Sequence, residues 1–235
     1  MHGVSTTDEA TALVGAAREG LRRLADPTAA PQMQRYMRSE MPFLGVPTPP
    51  RRTLLRELVA DHPVGSPDAL DRAVRTLWDE ATYREERYVA LALTGHRRYA
   101  RWLVPPWLPL YQHWIVAGAW WDYVDEIASR RIGPLLREHP ATVEPVIRGW
   151  VAGDDIWLRR TAIICQLLSK ERTDLALLAD SIEAAIDEPE FFLRKGIGWA
   201  LRQHARIDPD WVRAFVAAHP RLSPLSRREA LKHIA

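Results

Sequence analysis

The chain holds a single cysteine, Cys165, and only three lysines, Lys170, Lys195 and Lys232. A lone cysteine excludes an internal disulfide framework and a thiolate metal site. No apolar run approaches the ~20 residues of a membrane span. The first ten residues, MHGVSTTDEA, have neither a basic nor an apolar leader region, so a cytoplasmic protein is expected. There is no P-loop, no G-x-G-x-x-G after a strand and no H-E-x-x-H. His113 and His204 lack a second histidine at metal spacing, so neither a metal nor a cofactor is expected.

What is present is arginine: 29 of the 32 basic residues, against 30 acidic ones, for a net charge of +2. The skew suits a GC-rich genome, and it supplies planar donors suited to phosphate. A net charge this small identifies no partner by itself. At 235 residues the chain is long enough for one domain or one continuous superhelix, read here as a single domain over 1–235.

The pattern is helical almost throughout, with apolar residues recurring at three and four and little strict alternation. Ser66-Pro67, Asp208-Pro209 and Ser223-Pro224 each put a capping side chain before a proline at the first helical position. Ser226 and Glu229 read as a capping box. His62, His139 and His219, each followed by proline, read as helix ends. Two proline-rich connections, Met41–Pro50 and Val104–Pro109, are expected to be non-helical.

A repeat emerges on aligning Asp154–Ala162 with Pro189–Ile197. Trp157 falls on Phe192, Leu158 on Leu193, Arg159 on Arg194 and Arg160 on Lys195, an offset of 35. The same step backward reaches Asp125, a step of 33 forward reaches Arg228, and a weaker match lies at Arg87. A period in the mid-thirties with two helices per unit predicts an all-α, right-handed α-solenoid of HEAT-like repeats.

Equivalent positions would line one face, placing Arg87, Asp125, Arg160, Lys195 and Arg228 in a column. Arg148, Arg159, Arg194, Arg202, Arg206, Arg227 and Lys232 could widen it. Such a basic track suits a phosphate backbone, although each charge taken singly suits a solvated helix face. Asp125 is the odd member, either paired with Arg160 on the next repeat or facing a cationic transition state. Trp121 precedes it by four and Trp199 follows Lys195 by four, so each tryptophan shares a helix face with a charged residue. Together they suggest a slot sized for a sugar or a base. Trp78, Trp102, Trp107, Trp114 and Trp150 are read as packing, Cys165 as inert core, and Gly196 and Gly198 as points of close helix contact.

At these residues the sequence resembles the AlkD-like family of alkylpurine DNA glycosylases, over roughly Gln34 to Ile234. The matching stretches are Arg35-Tyr36-Met37, Phe43-Leu44-Gly45 with Thr48-Pro49, Trp120-Trp121-Asp122 with Val124-Asp125, Ile156-Trp157-Leu158 with Arg160, Phe191-Phe192, Ile197-Gly198-Trp199 with Leu201-Arg202, and Pro224-Leu225-Ser226 with Arg228-Glu229-Ala230. The resemblance implies a catalytic carboxylate at Asp125 and tryptophans cradling the damaged nucleotide at Trp121 and Trp199. It implies a backbone-gripping Arg160, a cleft-lining Tyr36, and a Thr48 touching the far side of the duplex. Arg159, Arg194, Lys195 and Arg228 would add phosphate contacts. Pro47 stands where that family's pattern expects a glutamine, which leaves open how this loop meets DNA.

The implied activity is hydrolysis of the N-glycosidic bond of cationic N3- or N7-alkylated purines in double-stranded DNA, by a monomer. Some enzymes of this kind are self-resistance glycosylases for bulky N3-adenine adducts of DNA-alkylating antibiotics, and the same residues would serve there. The rival of another class is a non-enzymatic repeat scaffold that binds protein or DNA.

Overall fold

The computed structural model describes residues 6–234; among these are fourteen α-helices joined by short turns and loops, and no strand. Its backbone divides into two compact units, 1–103 and 104–235.

The first unit carries α1 (Thr6–Arg23), α2 (Ala30–Met37), α3 (Thr48–Asp61), α4 (Pro67–Asp79) and α5 (Arg84–Thr94). α4 packs on α1 and α5 through an apolar stripe of Ala69, Leu70, Ala73, Val74, Leu77 and Trp78. The Ser66 hydroxyl accepts from Ala69 N–H at 3.1 Å, so that N-cap forms as the sequence predicts.

The loop between α2 and α3 is tied down from below. Glu85 is fully buried, and its carboxylate accepts from the N–H groups of Leu44, Gly45 and Val46 at 2.9–3.0 Å. Gly45 has φ +84°, and a Cβ there would lie 2.1 Å from the Asp26 carbonyl, so only glycine fits. The expected irregular stretch is shorter than its proline content suggests. α3 begins at Thr48, with Pro49 and Pro50 in the first turn, where a missing N–H costs nothing. For the same reason Pro109 sits in the first turn of α6.

The second unit carries α6 (Leu108–Gly118), α7 (Trp121–Ile127), α8 (Gly133–Glu138), α9 (Pro140–Ala152), α10 (Ile156–Ile164), α11 (Leu175–Ala184), α12 (Phe191–His204), α13 (Pro209–Ala218) and α14 (Pro224–Leu231). Here the repeat is explicit. α7, α10 and α12 start at residues 121, 156 and 191. Side-chain bonds join successive repeats at nearly the same separation: Arg160 to Asp125, Lys195 to Glu229, Arg172 to the carbonyl of Arg137, and His219 to Glu183. Asp208 and Ser223 cap α13 and α14 as predicted. His62, His139 and His219 occupy C-cap positions of α3, α8 and α13.

The predicted Ser226–Glu229 capping box does not form. Ser226 lies inside α14, capped by Ser223, and donates its hydroxyl to the Arg194 carbonyl, while the Glu229 carboxylate is bound by Lys195 and Arg202. The expected packing role of the glycines holds. A Cβ on Gly198 would lie 2.6 Å from Glu229 Cβ, and one on Gly196 would lie 3.1 Å from Arg160 Nη1 and 3.5 Å from Ile164 Cγ2. Cys165 is fully buried, and burial pushes its thiol up to about 12, so it is inert as read.

Candidate active site

Three helices of the second unit, α7, α10 and α12, assemble the centre from equivalent positions. Asp125 stands one turn into α7, Arg160 one turn into α10 and Lys195 one turn into α12. Arg160 Nε donates to Asp125 Oδ1 at 2.8 Å and Nη2 to Oδ2 at 2.9 Å, the side-on geometry in which guanidinium and carboxylate planes match. Arg160 Nη1 donates to the Phe192 carbonyl, so one guanidinium ties all three helices together. Gly196 makes room for it: a Cβ there would approach Nη1 to 3.1 Å.

The pair is unequally buried. Arg160 is 3% exposed, while the Asp125 side chain keeps 17% of its surface open. Burial raises the Asp125 carboxyl above its ordinary value; the hydrogen bonds and charge of Arg160 pull it back, and neighbouring Asp122 adds to the rise. Asp125 is thus a partly desolvated carboxylate, fixed in orientation by both its oxygens. Immediately after α7 the chain runs through a π turn, Ala128–Ile132, in which Ser129 donates to the Asp125 carbonyl at 2.7 Å. Such insertions within helices are frequent at functional sites.

Around the ends of these three helices the aromatic residues cluster. Trp157 and Phe192, aligned by the repeat, have ring centroids 4.9 Å apart, and Trp120 stands against both at 6.1 and 5.5 Å. Phe191 continues the cluster outward and is 58% exposed. Trp121 is partly buried on α7, and partly buried Trp199 rests on the core beneath α12. Four tryptophans read as packing, Trp78, Trp107, Trp114 and Trp150, are buried, and Trp102 stacks on Tyr99 at 5.3 Å.

The predicted basic column is largely neutralised. Arg160 serves Asp125 and is buried rather than presented to solvent. Lys195 Nζ binds Glu229 at 2.9 Å, and Arg202 binds the other oxygen of that carboxylate. Those cations hold Glu229 below its usual carboxylate range, the Lys195 hydrogen bond most strongly. Arg159 binds Glu188 at 2.6 Å and the Ala184 carbonyl, and Arg194 donates to the Glu188 carbonyl. Arg148 bridges Glu144 and Asp180. In the first unit, Arg87 lies over the Trp78 ring and donates to its carbonyl. Arg228, by contrast, is exposed. Of the two first-unit candidates, Tyr36 is 77% exposed near the end of α2, and exposed Thr48 opens α3, accepting from Arg51.

Phe192, Glu229 and Gly196 take part in this centre without having been singled out for it in the sequence. Phe192 contributes through its carbonyl, which no side-chain pattern reveals. Glu229 lies one residue beyond the column's expected register. Gly196 matters because of what it leaves empty.

This fold and centre define a class: an all-helical repeat protein that holds a partly open carboxylate, Asp125, on a buried arginine one helical turn from a tryptophan. Residues 17–234 match the family model described as DNA alkylation repair enzyme, and the chain belongs to that family. It is similar in structure to a protein described as a predicted DNA alkylation repair enzyme from Enterococcus faecalis. That similarity has a TM-score of 0.82 and 29% identity, over 90% of this chain and 97% of the other. No curated protein matches the chain.

Proposed function

We propose that this DNA alkylation repair enzyme is a DNA N-glycosylase that releases cationic N3- or N7-alkylated purines from duplex DNA. The observation that supports this most is the orientation of Asp125. Its carboxylate is gripped on both oxygens by Arg160, stays open to solvent in part, and stands one helical turn from Trp121. An alkylated purine already carries positive charge, so it leaves without a general acid, and a site with one central acid suffices. As the bond to C1′ breaks, its electron pair passes to the base and neutralises it, while the deoxyribose becomes oxocarbenium-like. Asp125 stabilises that charge and aligns a water molecule, which adds at C1′ and loses its proton to solvent, leaving an abasic site. Trp121 and Trp199 offer electron-rich faces to the cationic sugar. Lys195 and Arg228 hold phosphates without reading sequence. Arg160 acts through Asp125 as its positioning residue. Tyr36 and Thr48, both in the first unit, are assigned DNA contacts of their own, and residues 1–235 are assigned as one DNA-repair domain.

The product decides the reading. Incubation with duplex DNA carrying 7-methylguanine is expected to release the free methylated base and leave an alkali-labile abasic site. Recovery of guanine within intact DNA, with the methyl group lost, would replace glycosidic hydrolysis by direct dealkylation. No change to any alkylated duplex would favour a binding scaffold.

A further inference from the structure

A second cationic feature lies on α12, beyond the centre already described. Lys195, Trp199, Arg202 and Arg206 follow one another at steps of four, three and four, a single stripe along the helix and the turn that ends it. At the far end of that stripe is a cleft of about 300 Å³, walled by Arg202, Arg206 and His233 and floored by Ala205, Ala230 and Ile234. Among the described residues, no Asp or Glu side chain lines it. Arg202 is already oriented by its bond to Glu229, which leaves further N–H donors on its fork. Arg206 and His233 are exposed, and neither side chain has a hydrogen bond or ion pair among the described residues.

We propose that this cleft binds a backbone phosphate of nucleic acid, extending the contact that begins at Lys195. Three donor side chains converging on an apolar floor present the chemistry of an anion site, and the two arginines offer the planar forks that match phosphate oxygens. The apolar floor weakens screening of those charges by water. Along a helix the stripe from Lys195 to Arg206 covers about 16 Å, a reach of several phosphates on one strand. The cleft is also far roomier than a lone phosphate requires, which suits a phosphate carried on its sugars. Glu229 sets the polarity of the arrangement: it neutralises Lys195 and Arg202 in part and leaves Arg206 uncompensated. The inference deepens the DNA-repair reading, since it assigns the cleft to the same ligand.

The test measures binding to an undamaged duplex across a range of salt concentrations, so it does not depend on glycosylase activity. Arg206→Ala combined with His233→Ala is expected to weaken binding several-fold at low salt. It should also make the plot of log affinity against log salt shallower by about one unit. Arg75→Ala, which removes an exposed cation paired with Asp71 on α4, serves as the charge control and should leave the slope unchanged. Inorganic phosphate is the second probe, read from the His233 imidazole resonances. Shifts with inorganic phosphate together with an unchanged duplex slope would make the cleft a free-phosphate site and overturn the proposal, as would no response to either probe. A duplex slope that responds while no alkylated base is released would uphold the cleft and sink only the glycosylase reading.

Discussion

Arg160 and Asp125, separated by 35 residues, form a two-bond ion pair that joins α10 to α7 at one structural period. One contact therefore does two jobs. It fixes the register between successive repeats, and it aims the carboxylate on which the proposed chemistry depends. The cost is a guanidinium withdrawn from solvent, so the proposed mechanism assigns phosphate contacts to Lys195 and Arg228 instead.

Breaking this pair should be expensive. Arg160→Ala leaves a partly buried carboxylate without its partner and the Phe192 carbonyl without a donor. The expected loss is about 3–5 kcal/mol of unfolding free energy, the range for removing one partner of a buried ion pair. Arg160→Lys keeps the charge but not the fork, and should recover only part of that loss. Denaturant unfolding measures both. A loss below about 0.5 kcal/mol for Arg160→Ala would place the pair among exposed ones of little worth.

The pH dependence of catalysis follows from Asp125. Burial raises its carboxyl above the ordinary value despite Arg160. The folded state therefore binds a proton more readily than the unfolded chain. Stability from this group is greatest at acid pH and declines as pH rises through the window between the ordinary and the raised value. Under the proposed mechanism activity has the opposite dependence, because the ionised form is the one that stabilises the sugar cation. The acid limb of the base-release profile should lie above the ordinary carboxylate range, and Arg160→Lys should move it higher still. An acid limb at or below the ordinary carboxylate range would show that Asp125 is better solvated or better paired than the geometry indicates.

His204 makes the reverse contribution to stability. It is buried, neither ring nitrogen has a hydrogen-bond partner among the described residues, and it packs edge-on against Trp211 at 5.3 Å. Burial holds its pKa below the ordinary value, with Asp208 opposing weakly. The unfolded chain is then protonated first as pH falls, so stability drops as pH passes below about 6.5 toward the lower folded value. Thermal melts between pH 7.5 and 5 should show that fall in the wild type and a flatter response in His204→Leu. Parallel profiles for the two proteins would remove His204 from the account.

The two glycines of α12 should respond differently to alanine. At Gly198 the new Cβ meets Glu229 Cβ at 2.6 Å and the Ser226 carbonyl at 3.0 Å, so α12 and α14 must move apart. A loss of about 1–3 kcal/mol is expected, typical of overpacking. At Gly196 the neighbour is the end of the Arg160 side chain, at 3.1 Å. That substitution should cost less stability and reduce base release by displacing the guanidinium that orients Asp125. Unfolding curves and turnover rates on the same preparations separate the two effects; equal stability losses would argue against the packing difference.

Much of this architecture is legible in the sequence because repeats write the same signal several times. The alignment of Trp157 with Phe192, and of Asp125 with Arg160, anticipates which rings and which charges meet. The caps at Ser66, Asp208 and Ser223 are local chemistry and need no tertiary information. What the sequence conceals is partnership across the period. Glu229 reads as part of a capping box because its true partners, Lys195 and Arg202, lie 34 and 27 residues away. Arg159 reads as a free cation for the same reason, its partner Glu188 lying 29 residues away. The anchoring of the 44–46 loop by Glu85 is equally hidden, since a carboxylate within Arg84-Glu85-Glu86-Arg87 looks like a solvated helix face until its burial is seen.

The central claim is that the Asp125 carboxylate supports cleavage of a sugar–base bond, and single-turnover kinetics of Asp125→Asn on a 7-methylguanine duplex test it most directly. The amide retains the shape and one acceptor for Arg160 while removing the negative charge. Base release should fall by a factor on the order of a hundred to a thousand, the scale seen when one transition-state electrostatic contact is lost, with duplex affinity unchanged or greater. Release at the wild-type rate by a folded Asp125→Asn protein would contradict the account.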